Sequence, residues 1–237
     1  MTSLDMDKGK LEAMVHGGHI VDTLDLSELD LSGANLGGGI FEKCNLSRAD
    51  LSGANLNETV LNECQIHGAT LTGATLRHAA LVQCALTGAR LSDVDLTSGK
   101  IVESDCTDAD FGGGILVLCC FTEPLLVGTR FVGAALDRTS FIVPKESRDI
   151  DFSDAHLRLT VLLDTDLRSA KLDGARFEQA VLLGSNFSGQ SFANMDLTLT
   201  QFSRAKLIDC DFSGATLERT NFPQADLSGA KLDAAKA

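Results

Sequence analysis

The stretch Cys44-Asn45-Leu46-Ser47-Arg48-Ala49-Asp50-Leu51-Ser52-Gly53-Ala54-Asn55-Leu56 has a five-residue rhythm: small, polar, leucine, polar, polar. Outward from it, the leucine position recurs every five residues from Leu26 to Phe141. It spans 24 positions, 21 of them Leu or Phe, with Ile66, Ile101 and Cys106 as exceptions. After a one-residue slip it resumes at Phe152 and runs to Leu232, 17 positions, all Leu or Phe. All 12 phenylalanines stand in this column, so the repeat sets the apolar pattern. Two residues earlier runs a column of small side chains, including Ala34, Ala69, Ala74, Ala79 and Ala89, with Gly39, Thr59 and Ser104 as variants. Cys44, Cys64, Cys84, Cys119 and Cys210 also belong to it.

A period of five fits neither a helix nor a long strand. Within each unit the small residue and the leucine are two apart with a polar residue between, which is strand alternation lasting about three residues before a polar turn. A chain that runs straight, turns and repeats winds into a coil. The small column then points into a narrow interior that the Leu/Phe column fills. Cys44, Cys64 and Cys84 recur at 20 residues, implying four units per coil, with like residues stacked one strand spacing apart, ~4.8 Å. About ten coils then form a rod of about 50 Å. The inward thiols read as small core residues rather than disulfides or metal ligands.

The units Ala34-Asn35-Leu36, Ala49-Asp50-Leu51-Ser52-Gly53 and Ala225-Asp226-Leu227-Ser228-Gly229 resemble the pentapeptide repeat family, over residues 24–234. That resemblance implies an all-β fold, a right-handed quadrilateral β-helix (a solenoid with four pentapeptides per coil). It implies little about function, because the family has many roles.

Four segments are expected. Residues 1–23 form an N-terminal cap, in which Leu4, Leu11, Met14 and Val15 suit one short amphipathic helix ending at Gly17-Gly18. Residues 24–143 are the first part of the solenoid, 144–151 an irregular bulge or turn around Pro144, and 152–237 the second part of the same solenoid. The last coil, around Phe222, Leu227 and Leu232, is expected to present an open end suited to a second copy or a partner.

Composition removes several function classes. The chain has 237 residues, a net charge of −13 and no Trp or Tyr, so direct nucleic-acid binding is not expected. No apolar run reaches the ~18 residues of a membrane span. Asp5, Asp7, Lys8, Lys10 and Glu12 interrupt any signal-peptide core, and the expected compartment is the cytoplasm. Ser, His and Asp show no nucleophile-and-base arrangement, so no enzyme and no cofactor is expected. His16 and His19 have no third ligand nearby. Gly37-Gly38-Gly39 and Gly112-Gly113-Gly114 have no adjoining lysine and read as corner residues, not phosphate loops.

The outward positions are more informative. Assigning units to four faces puts those centred on Phe41, Leu61, Leu81, Ile101, Phe121, Phe141, Leu162, Leu182, Phe202 and Phe222 on one face. Among the residues flanking these centres are nine aliphatics: Ile40, Val60, Val82, Val102, Ile142, Val161, Leu163, Val181 and Leu183. The other three faces together hold six: Ile115, Val117, Leu125, Val127, Val132 and Ile208. An apolar stripe of this kind reads as a protein-binding surface, with another protein or a second copy of the chain as partner. The alternative is a flat sheet favouring β-branched residues for backbone reasons, which Leu163 and Leu183 do not satisfy.

The acidic charge supports a second reading, implied by the resemblance: a DNA-mimicking inhibitor or protector of DNA gyrase or topoisomerase IV, of the quinolone-resistance type. Duplex over ~50 Å carries about 29 charges, one per ~1.7 Å. The net −13 falls well short, though residues 24–120 hold −8 of it, led by Asp25, Glu28, Asp30, Asp50, Asp105, Asp108 and Asp110.

Overall fold

The computed structural model describes residues 6–236; Leu4 of the expected cap helix and the terminal Ala237 lie outside the described residues. Most pentapeptides make the same local structure, with those centred on Phe41, Leu61, Leu81, Ile101 and Phe121 among the ones that turn without its closing hydrogen bond. In Ala49–Ala54 the side chains of Ala49, Leu51 and Ala54 are buried, while Asp50 between them bridges Asp30 below and Thr70 above. The Ala54 N–H then closes a four-residue turn on the Leu51 carbonyl at 3.0 Å. Gly53, third in that turn, has φ 62°, the left-handed value such a turn requires. The Asp50 carboxylate steadies the turn by accepting the Ser52 N–H at 2.9 Å.

Repeating this unit gives a parallel solenoid. One face is an eight-stranded parallel sheet, formed by β1 (Val21–Asp22), β2 (Ile40–Glu42), β3 (Val60–Asn62), β4 (Ala80–Val82), β5 (Lys100–Val102), β6 (Cys120–Thr122), β8 (Ser140–Ile142) and β10 (Val161–Leu163). Bridges from Val161 to Val181, Gln201 and Asn221 carry the ladder three rungs further. Up to β8 the register advances by 20 residues, as in Phe41↔Leu61↔Leu81↔Ile101↔Phe121↔Phe141.

The slip changes one step of the register to 21: Ser140 pairs with Val161 and Arg130 with Asp151. The irregularity expected over 144–151 is narrower than that. β7 (Leu125–Val127) already pairs with β9 (Glu146–Arg148), so the extra residue is absorbed in the corner Val143-Pro144-Lys145. Ser147 occupies the rung position of a leucine, opposite Leu126. The next coil does not pair main chain to main chain there. Two hydroxyls stand in: the Asp166 N–H donates to Ser147 Oγ at 2.9 Å, and the Asp149 N–H to Ser169 Oγ at 2.8 Å.

Inside, the Leu/Phe column makes a continuous core. Phenylalanines one coil apart stack in parallel, at 4.7 Å for Phe121 and Phe141 and 5.2 Å for Phe202 and Phe222. Those two units apart, on opposite faces, meet edge to face, as Phe121 does with Phe131 at 5.7 Å. Small-column donors reach the carbonyl of the coil below: Cys44 Sγ to Val21, Cys84 Sγ to Leu61, Thr129 Oγ1 to Cys106 and Thr160 Oγ1 to Leu136, at 2.7–3.3 Å. Cys, Ser and Thr thus recur in this column because they are small and carry a donor. All seven cysteines are free, and only Cys120 is not buried.

The helix α1 (Lys8–His16) lies over the first coil. Asp7 caps its N-terminus through the Lys10 N–H, and Gly17 ends it. Leu11 and Val15 are buried. Glu12 accepts the Asn35 N–H at 2.7 Å and Lys8 donates to the Ser32 carbonyl at 2.9 Å, so helix side chains satisfy main-chain groups for which no earlier coil exists.

Candidate protein-interaction face

The ladder resolves the apolar stripe into two columns. Before the buried centres run Ile40, Val60, Ala80, Lys100, Cys120, Ser140, Val161 and Val181, each opposite the next. After them run Glu42, Asn62, Val82, Val102, Thr122, Ile142 and Leu163, and Leu183 follows where its carbonyl accepts the Asp164 N–H at 2.9 Å. All nine aliphatic residues singled out from the sequence therefore stand on one sheet face. Ile40 is exposed and the other eight are half-buried. The second column is aliphatic from Val82 to Leu183 apart from Thr122. In the first, Lys100, Cys120 and Ser140 separate Ile40 and Val60 from Val161 and Val181.

The corners widen the patch in a way that counting flanking positions misses. Leu118, Leu159 and Leu199 occupy the turn two residues before the first column, with φ of 61°, 59° and 60°. Val143 holds the opposite corner beside Ile142, at φ 44°. Left-handed backbone costs a non-glycine residue roughly 1–2 kcal/mol. Elsewhere this position is Gly, a polar residue or, in the last coil, Ala234; here Leu118 is 50% and Val143 45% exposed, so burial does not offset that cost. The signal was present in the sequence, as aliphatic letters where Gly, Asp or Arg is the rule.

The rim is polar. On the Val143 side the corners of the lower coils are Lys43, Glu63, Gln83, Glu103 and Glu123; Lys43 pairs with Glu63 at 3.8 Å and Lys145 with Glu103 at 3.9 Å. An apolar centre with a charged rim is the anatomy of a protein contact. Off this face the carboxylates serve the turns. The Ser27 hydroxyl, 2.6 Å from Asp25, holds that carboxyl below its ordinary value, and Ser32 does so for Asp30. Burial pushes up the thiols of Cys106 and Cys119, and that of Cys210 to about 11, which makes them unreactive core groups. Among the described residues no group of three or more His, Cys, Asp or Glu is arranged to hold a metal ion, and no helix is long and apolar enough to cross a membrane.

Comparison with known proteins bears on the fold. The family model described as "Pentapeptide repeat region" matches residues 34–111, and that described as "Pentapeptide repeats (8 copies)" matches 148–184, 180–219 and 200–236. No curated protein sequence matches the chain. Among solved structures, HetL, a pentapeptide repeat protein involved in heterocyst differentiation regulation in the cyanobacterium Nostoc, is 24% identical. It aligns over 97% of this chain and 96% of its own, with a TM-score of 0.50. QnrB1, a plasmid-mediated fluoroquinolone resistance protein, is 20% identical over 92% of each chain, with a TM-score of 0.42. Repeat, coil geometry and family models agree, and the chain belongs to the pentapeptide repeat family.

Proposed function

We propose that this protein is a non-enzymatic scaffold that binds another protein surface through the face carrying Val82, Val102, Ile142, Val161, Leu163, Val181 and Leu183, with a second copy of the chain as the first partner to test. One observation carries the reading: exposed Leu118, Leu199 and Val143 sit in left-handed corners beside the stripe, where they add backbone cost without core packing. β-Branched preference for a flat sheet accounts for Val60 or Val82, but not for leucines at corners or for Leu163 and Leu183.

The test is light scattering after size exclusion, on wild type and on Val161→Lys with Leu183→Lys. Both side chains are half-buried on the outer surface, so lysine can extend its charge into water and the solenoid stays folded. Wild type is expected to self-associate, or to retain a partner in a pull-down, and the double variant to lose that association. A monomeric wild type whose pulled-down partners the variant all retains removes the face as an interface.

A further inference from the structure

The small column admits Val94 and Ile150 fully buried with the ladder intact beside them, but two long unbranched side chains coincide with a break in it. Gln190 and Met195 stand where the coil below has Ala170 and Ala175 and the coil above has Cys210 and Ala215. Both are half-buried. Between these coils the ladder is broken. The bridges that would join Lys171 to Ser191 and Arg176 to Asp196 do not form, although Asp166↔Asn186 and Val181↔Gln201 on either side do. The N–H groups of Leu172, Gly174 and Phe177 on the lower lip, and of Ser191 and Asp196 on the upper, have no hydrogen-bond partner among the described residues. Nor do the carbonyls of Ser191, Ala193 and Asp196. No serine hydroxyl bridges this seam, in contrast to the one beside the slip. The gap opens as a cleft of about 540 Å³.

We infer that this seam is a peptide-binding slot, which takes a short extended segment of a partner's main chain, distinct from the aliphatic face. Three features favour that occupant. The lips leave both N–H donors and carbonyl acceptors unpaired, donors on the lower lip and both kinds on the upper; an amide backbone meets both kinds, whereas a carboxylate or phosphate, lacking donors, leaves the carbonyls of Ser191, Ala193 and Asp196 unmet. An amide already lies in the gap: Gln190 Nε2 donates to the Leu167 carbonyl at 2.7 Å and the Ala170 carbonyl at 2.8 Å, so its carboxamide occupies the place of the missing main-chain donor. Intact pairing beyond the seam, Leu167 N–H to the Asn186 carbonyl and Gln179 N–H to the Thr198 carbonyl, limits the insert to about three or four residues at ~3.3 Å each.

The probe is a mixture of acetylated, amidated pentapeptides randomised at every position, added at millimolar total concentration. The control is the same mixture N-methylated at alternate amides, which cannot pair as a strand. The expected result is movement of the Leu172, Gly174, Ser191 and Asp196 amide resonances with the first mixture alone. Those of Val161 and Val181 should stay still, which separates this site from the aliphatic face. Gln190→Ala with Met195→Ala restores a small column; it should close the seam, slow hydrogen exchange at those amides by about a hundred-fold and abolish the response. No movement in wild type, or equal movement with the methylated mixture, overturns the proposal, and neither result requires the variant to fold. Unchanged exchange in a folded variant overturns the wedge role of the two side chains.

Discussion

In a rod where each coil touches only its neighbours, side-chain coupling should follow the ladder and not the distance along the sequence. Phe121 and Phe141 are twenty residues apart, yet their rings stack at 4.7 Å and 14°. Phe212 lies in the same interior several coils away and contacts neither. Replacing Phe121 by Leu removes that stack and edge contacts to Phe111 at 5.9 Å and Phe131 at 5.7 Å. Leucine fills the same rung at Leu61 and Leu81, so the backbone accommodates it. The three aromatic contacts, each worth ~0.5–1.5 kcal/mol, set the single cost at roughly 1.5–4.5 kcal/mol before the loss of ring volume is added. The stack counts once in Phe121→Leu and once in Phe141→Leu, so the double variant should fall short of additivity by ~0.5–1.5 kcal/mol. Phe121→Leu with Phe212→Leu should add within ~0.5 kcal/mol. Urea unfolding of the singles and both doubles measures this, provided the m-values agree. Equal coupling for the two pairs would refute the stacked-coil register, because a one-unit error in winding would take Phe141 off Phe121.

The carboxyls of Asp95, Asp105 and Asp151 feel an upward push from burial that hydroxyls and cations outweigh: Thr97 and Arg77 for Asp95, Thr107 for Asp105, Ser153 and Lys171 for Asp151. A folded value below the unfolded 3.8 means stability that is complete above about pH 4–5 and drains as pH falls through the lowered values. The melting temperature should therefore be flat from pH 7 to about 5 and drop below it; Asp95→Asn should shallow that drop, since asparagine keeps the turn, as Asn45 does for the Ser47 N–H at 3.1 Å. Gly39→Val should destabilise by roughly 2–4 kcal/mol in thermal melts, because a β-carbon there would lie 2.8 Å from the Phe41 ring and 2.9 Å from the Leu36 carbonyl, where neither can yield.

Most of the fold was legible because its two determinants are one-dimensional. A period of five with an inward pair two apart dictates a coil, and the 20-residue recurrence of Cys44, Cys64 and Cys84 dictates its circumference. The nine aliphatic residues could then be placed on one face by counting. Other features depend on shape rather than period. That the slip is absorbed by Val143-Pro144-Lys145 depends on Glu146–Arg148 re-pairing at once with Leu125–Val127, and the sequence offers no apolar centre there to show it. The corner leucines carry no period of their own, because their turn position is Gly or polar in most units. Gln190 and Met195 stand in a column whose commonest residue is alanine, and letter size alone does not mark them, since Val94 and Ile150 are buried in the same column with the ladder intact.

The extra residue near Pro144 has a geometrical consequence. Because one corner holds it entirely, every unit from Phe152 onward keeps its azimuth: Val161 stands over Ser140 and His156 over Ala135, as though nothing had been inserted. A screw thread with a flaw spread along it would rotate everything beyond the flaw; here the pitch error is discharged within a quarter turn. That corner is consequently the one point where the rod has already shown it can be lengthened without twisting one end against the other, and it marks where a tag or a whole domain could be spliced in while both halves keep their alignment.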